Sequence, residues 1–277
     1  MKLQAFLPLV TYPDPNSAAI AANAVAVAKH LDADLRAVAI NADIPSISSP
    51  LSGLLLDVPG LIRKAEMDSQ DRGEELLEKV KAEAAAAGVA VETGAIVTRL
   101  VAMEERAAEG ARYFDLSLLG WEKDNVTSRN AAEAVVFGSG RPVVLLPEEG
   151  KVGPLDHIAI AWDGSRAAAR AVADAWPFLE RSSHVSIFSV LDEKPVRNDA
   201  AERLEAGLRR RGLQPEARRI NTEDCPIAQT LQDHARQHGC QLLVMGGFGH
   251  SRLRDFVLGG ATEGILSDLR MPVLLSH

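Results

Sequence analysis

The 277-residue chain is poor in cysteine and aromatics: two Cys, three Trp, two Tyr and seven Phe. It also lacks any block of basic residues, at a net charge of −8 and a sequence pI of about 5.4. Each scarcity excludes something. Cys225 and Cys240 lie 15 positions apart, with no further cysteine or clustered histidine beside them. They make neither a disulfide framework nor a zinc ribbon and read as reduced thiols. An acidic chain without a basic stretch is a poor partner for nucleic acid or an anionic membrane surface. The apolar start, MKLQAFLPLVTYPDPN, is too short and too interrupted for a signal peptide or a membrane span, so it reads as a first strand. Cytoplasmic residence is the resulting expectation.

Catalytic signatures are missing as well. There is no G-x-S-x-G elbow, and Ser139 stands between two glycines near a helix end. The seven histidines are scattered along the chain; His234 and His238 are four apart on a helix, without a third ligand or an H-E-x-x-H pattern. Cys225 precedes Pro226 at a helix start, where a thiolate is favoured, which leaves a redox role open. No metal site and no dedicated catalysis are expected.

What is present is ample apolar material, 47% of residues, in a length that suits two domains. Apolar runs of strand length alternate with Ala- and Glu-rich helical stretches. Strands are expected at 3–12, 34–41, 89–98, 116–119 and 142–146, with helices at 17–31, 62–87, 99–111 and 128–137 between them. Pro8 suggests that the first strand is an edge or irregular. Residues 42–61, with Pro45, Pro50 and Pro59 and the run Leu54-Leu55-Leu56, are too long for an ordinary βα loop and read as an insertion. Glu148 to Pro154 reads as a linker. The alternation then restarts: strands at 157–162, 184–191, 214–220, 241–246 and 271–275, helices at 165–179, 198–211, 226–238 and up to about 269.

The two halves repeat. Arg141-Pro142-Val143-Val144-Leu145-Leu146 matches Met271-Pro272-Val273-Leu274-Leu275 at an offset of 130 residues, whereas Leu118-Leu119-Gly120 matches Val244-Met245-Gly246 at an offset of 126. The intervening segment is therefore four residues shorter in the first half. There Gly120-Trp121-Glu122-Lys123-Asp124-Asn125 replaces Gly246-Gly247-Phe248-Gly249-His250-Ser251. A β-α-β-α alternation in each half implies an α/β fold with parallel sheets and helices on both faces.

The segment MGGFGHSRLRDFVLGGATEGIL, residues 245–266, carries the chemistry. Glycines at a strand end and at a helix start let backbone N–H groups approach a ligand, and a helix N-terminus adds donors and a positive dipole end. That combination suits a phosphate. Neither a Walker loop nor the dinucleotide fingerprint occurs. Gly246, Gly249 and Gly259 instead make a G-x2-G-x9-G frame.

With the strand ending in Asp163-Gly164-Ser165, the Leu242–Gly246 strand and the closing Met271–Leu275 strand, this frame resembles the universal stress protein family. The likeness runs along both halves, as 1–147 and 155–277, but is specific only in the second. It implies, for each half, a mainly parallel five-stranded sheet of order 3-2-1-4-5 flanked by helices. It also implies pairing of the two halves through their last strands, at 142–146 and 272–276; a homodimer is left open.

The resemblance further implies an adenine nucleotide, ATP or AMP, in the second half, with Mg²⁺ only as the nucleotide's companion. Ala161 and Asp163 would face the adenosine, and Val190, near the end of the second strand, the base. Gly246 and Gly249 would let the chain turn under the phosphates, capped by Gly259 and the N–H groups of Gly260 and Ala261. His250 and Arg252 would add a donor and a charge. Nucleotide-binding relatives have Ser or Thr where this chain has Gly260; Thr262 could supply a substitute hydroxyl unless helical geometry turns it away. In the first half Asp14 is a degenerate match to Asp163, and no nucleotide is expected there. A regulatory nucleotide-binding protein is the leading expectation. A nucleotide-free scaffold and a weak ATPase are the alternatives.

Overall fold

A computed structural model describes residues 2–45, 57–191, 199–222, 224–247 and 260–277. In the first half, β1 (Gln4–Val10), β2 (Asp34–Asp43), β3 (Val91–Arg99), β4 (Leu116–Trp121) and β5 (Val143–Pro147) alternate with helices. These are α1 (Ala19–Leu31), α2 (Val58–Ala87), α3 (Met103–Ala111, entered through a 3-10 turn at Leu100–Ala102) and α4 (Val126–Gly138). The second half runs β6 (His157–Ala161), α5 (Arg166–Asp174), α6 (Trp176–Leu179), β7 (His184–Val190), α7 (Ala200–Arg210) and β8 (Pro215–Ile220). It closes with α8 (Ile227–Gln237), β9 (Leu242–Gly246), α9 (Gly260–Ser267) and β10 (Val273–Ser276).

The ten strands form one sheet in the order β3-β2-β1-β4-β5-β10-β9-β6-β7-β8. Each half keeps the 3-2-1-4-5 order, and within each half all pairings are parallel. The two five-stranded units differ from separate sheets in one respect: β5 and β10 pair antiparallel, Val273 opposite Leu145 and Leu275 opposite Val143. Strand alternation then sends successive residues to opposite faces. Val144, Leu146 and Leu274 join the core under α1, α2 and α5, while Val143, Leu145, Val273 and Leu275 join the core under α3, α4, α8 and α9. Both cores therefore run unbroken across the seam. The linker is held down by buried Asn23 on α1, whose amide donates to the carbonyls of Pro147 and Gly150 and accepts from Val152 N–H at 3.0 Å.

Two prolines were misleading. Pro8 does not mark an edge: β1 is central, with β2 on one side and β4 on the other. Its missing N–H is accommodated because the pairing with β4 stops at Phe6–Ser117. Pro59 is not a loop residue but sits in the first turn of α2, where its N–H would be unused in any case. The helix thus starts four residues earlier than expected, at Val58, capped by Asp57, whose carboxylate accepts from Gly60 N–H at 3.0 Å. Of the expected insertion, residues 46–56 lie outside the described set. The helix expected at 165–179 is two: α5 ends at Asp174 and α6 begins at Trp176, with Pro177 in its first turn.

Candidate functional site

In an open doubly wound sheet, ligands bind beyond the carboxyl ends of the strands where the strand order reverses. That point lies between β1 and β4 in the first half and between β6 and β9 in the second. The same crevice is therefore built twice, from different residues.

In the first half it is filled by the chain itself. Glu122, just after β4 and only 8% exposed, turns its carboxylate onto the entry of α1. It accepts hydrogen bonds from the main-chain N–H of Ser17 and, at 3.5 Å, from the Asn16 amide. Asn125 donates to its other oxygen at 3.0 Å and also caps α4 through Ser128 N–H. A side-chain anion thus occupies the helix entry where an external anion would otherwise sit. Trp121 beside it is buried, and its indole N–H donates to the carbonyl of Leu266 on α9, in the other half, at 2.9 Å.

In the second half the corresponding strand, β9, ends on Gly246, and Gly247 follows. A Cβ at position 246 would come within 2.5 Å of the Ala167 carbonyl carbon and 2.6 Å of the Ala168 nitrogen. Glycine is thus required there for α5 to pack against the strand end. That is a structural reason for Gly246, independent of any ligand. Gly247 N–H donates to the Ser276 carbonyl at 2.7 Å. Across the crevice, Ala161 ends β6 half-buried, opposite Phe188 of β7. Asp163 is exposed, and its carboxylate accepts from Ser165 N–H at 2.9 Å, while Ser165 caps α5 through Ala168 N–H. Asp163 therefore helps shape the entry to α5. Val190, at the end of β7, is 8% exposed and belongs to the core.

On α9, Gly260 is exposed with open space around it, Ala261 is half-buried, and Thr262 is 3% exposed, on the buried side of the helix. The helical turn that points Gly260 outward takes Thr262 inward. Gly249, His250, Arg252 and Gly259 lie outside the described residues. The structure thus gathers Ala161, Asp163, Val190 and Gly246 at one strand-end crevice. Trp162 had no signal in the sequence: its indole N–H donates to the Ala200 carbonyl at the start of α7 at 3.0 Å, and its own carbonyl accepts from Ser189 at 2.8 Å. Among the described residues, no group of three or more His, Cys, Asp or Glu side chains is placed to hold a metal ion. No described helix is long and apolar enough to cross a membrane.

Sheet order and crevice define an α/β protein of the doubly wound class, duplicated within one chain. Residues 154–277 match the universal stress protein family. Its whole length is similar in fold to a universal stress protein from Archaeoglobus fulgidus, at 15% identity, a TM-score of 0.69, and coverage of 99% of this chain and 97% of that one. A functionally unknown protein from Pseudomonas aeruginosa is similar at 15% identity and a TM-score of 0.58, with 99% and 92% covered. No protein in the curated comparison matches.

Proposed function

We propose that this universal stress protein is a regulatory protein that binds an adenine nucleotide, ATP or AMP, in the crevice of its second half and has no dedicated catalytic chemistry. One contrast supports the reading. The first half stops its own crevice with the Glu122 carboxylate, whereas the matching strand in the second half ends in Gly246-Gly247. A crevice that needs an internal anion in one copy is suited to an external anion in the other. Asp163 would meet the ribose or the adenine amino group, and the α5 entry with the Gly260 and Ala261 N–H groups would meet phosphate. Mg²⁺ would arrive only on the nucleotide. Cytoplasmic residence and the lack of a nucleic-acid partner fit the acidic composition.

Thermal melting of the intact chain against ATP·Mg²⁺ up to millimolar tests this reading. Binding to the folded state raises the melting temperature with nucleotide concentration, and Asp163→Ala reduces the shift. No shift at millimolar nucleotide favours the scaffold. Steady phosphate release lost in Asp163→Ala favours an ATPase. The scaffold reading draws on a separate observation: on edge strand β3, Ile96 and Val97 are exposed, as are Val101, Leu61 and Met67 nearby.

A further inference from the structure

Four of the seven histidines, far apart in sequence, meet beneath the second half, at the opposite end of the strands from the crevice. His157 opens β6 and His184 opens β7, their rings edge to face at 5.7 Å. His234 and His238 occupy the last turn of α8 and its cap. Their rings lie 6.2 and 5.5 Å from the ring of Phe188, a fully buried β7 residue. The contact between α8 and the sheet is thus partly an imidazole–phenyl contact.

His157 is half-buried, and its Nε2 lies 2.9 Å from the hydroxyl of buried Ser186. Burial pushes its imidazole below the ordinary range, and His184, His238 and Arg218 push the same way. Every neighbouring element supplies a group to this environment. From β7 come His184 and Ser186; from α8, His238; from β8, Arg218 and Glu216; and from the turn before β9, the neutral thiol of Cys240. Glu216 is the carboxylate that opposes the trend, and it is already paired with Arg218 at 2.6 Å. The nearby Asp233 carboxylate is held by Arg270 at 3.1 Å.

The rings differ in their surroundings. His184 is exposed. His238 sits at the helix C-terminus, where the dipole favours a cation. Its Nδ1 lies 2.8 Å from the His234 carbonyl, so Nδ1 carries the hydrogen and donates it there. Charge on more than one of these rings, paired at 5.7 and 6.3 Å, sets like charges together where α8 meets the sheet, and moving α8 away relieves it. We propose that these four imidazoles form an acid-sensitive joint that loosens α8 from the sheet.

The sign follows from linkage. A histidine held neutral in the closed form contributes stability above the ordinary imidazole pKa of about 6.5, and that contribution is lost as pH falls below it. The movement has an outlet, because α8 grips the connection between α9 and β10. Gln232 donates to the Asp268 carbonyl at 2.8 Å and accepts from Arg270 N–H at 2.7 Å.

The test is hydrogen exchange of the intact chain at pH 7.5 and 5.5, corrected for intrinsic rates, with NMR titration of the imidazoles. The expected result is a loss of α8 protection about tenfold greater than that of α3 in the first half, with His157 titrating below the ordinary imidazole range. The difference disappears in His157→Gln/His184→Gln and persists in His30→Gln, the control at a half-buried histidine elsewhere. Equal losses in α8 and α3, or an unchanged loss in the double variant, overturn the proposal. If the double variant does not fold, the wild-type α8–α3 comparison and the His157 titration decide it: His157 titrating at or above the ordinary imidazole value counts against the joint.

Discussion

The indole N–H of Trp121, at the end of β4, donates to the carbonyl of Leu266 on α9, across the seam between the halves, at 2.9 Å. Trp121 takes the place that Gly247 holds in the second half. A residue lost to the first crevice thereby serves the second half's last helix. Trp121→Phe keeps most of the buried bulk but removes the donor. It is expected to lower stability by about 1–2 kcal/mol, the range for a lost hydrogen bond to a buried acceptor, as read from urea unfolding.

Gly246 and Gly260 are expected to respond in opposite ways. Gly246→Ala drives a Cβ into the backbone at Ala167, 2.5 Å away. The collision is with main chain, so α5 must shift, and a loss of roughly 1–3 kcal/mol is expected in chemical denaturation. Gly260→Ser meets nothing within 4 Å among the described residues. It should leave the fold unchanged while tightening ATP by about tenfold, the value of one added hydrogen bond to phosphate. Calorimetry gives the affinity; a stable Gly260→Ser protein with unaltered affinity would move the phosphates elsewhere.

Glu122 holds the entry of α1 together through Ser17 and Asn125. Glu122→Ala leaves those donors without their acceptor, and a loss of about 1–3 kcal/mol is expected. Phosphate or sulfate in the buffer should recover part of it, because an external anion can then take the carboxylate's place. A melting temperature insensitive to these anions in the variant would contradict the role assigned to Glu122.

The two thiols should be distinguishable. Cys225 is exposed and Cys240 buried. At pH 8 a thiol reagent should label one equivalent rapidly, and Cys225→Ser should abolish that phase. Burial pushes the Cys240 thiol up to about 11, above the ordinary range of about 8.5 to 9. The unfolded chain therefore releases this proton first, so the stability from a neutral Cys240 is full below pH 9 and is lost as pH rises towards 11, by about 2–3 kcal/mol in all. Cys240→Ala should flatten that part of the alkaline stability profile.

Much of this protein is written locally. Apolar runs of strand length, alternating with Ala- and Glu-rich helical stretches, determined an α/β fold, because hydrophobic period and helix propensity act over a few residues. The matching Pro-Val-Val-Leu-Leu and Pro-Val-Leu-Leu strands disclosed the repeat. The glycine frame identified the half with family resemblance, since glycine spacing survives where side chains do not. The tertiary structure decided the rest. It placed Pro8 in a central strand, because hydrogen bonding to β4 ends before that residue. It made Gly246 a packing requirement, because α5 crosses the strand end there. It also brought Glu122 to the α1 entry, His234 and His238 against Phe188, and His157 against His184. Those neighbours are separated by up to about a hundred positions in the chain, and only the sheet order brings them within contact distance.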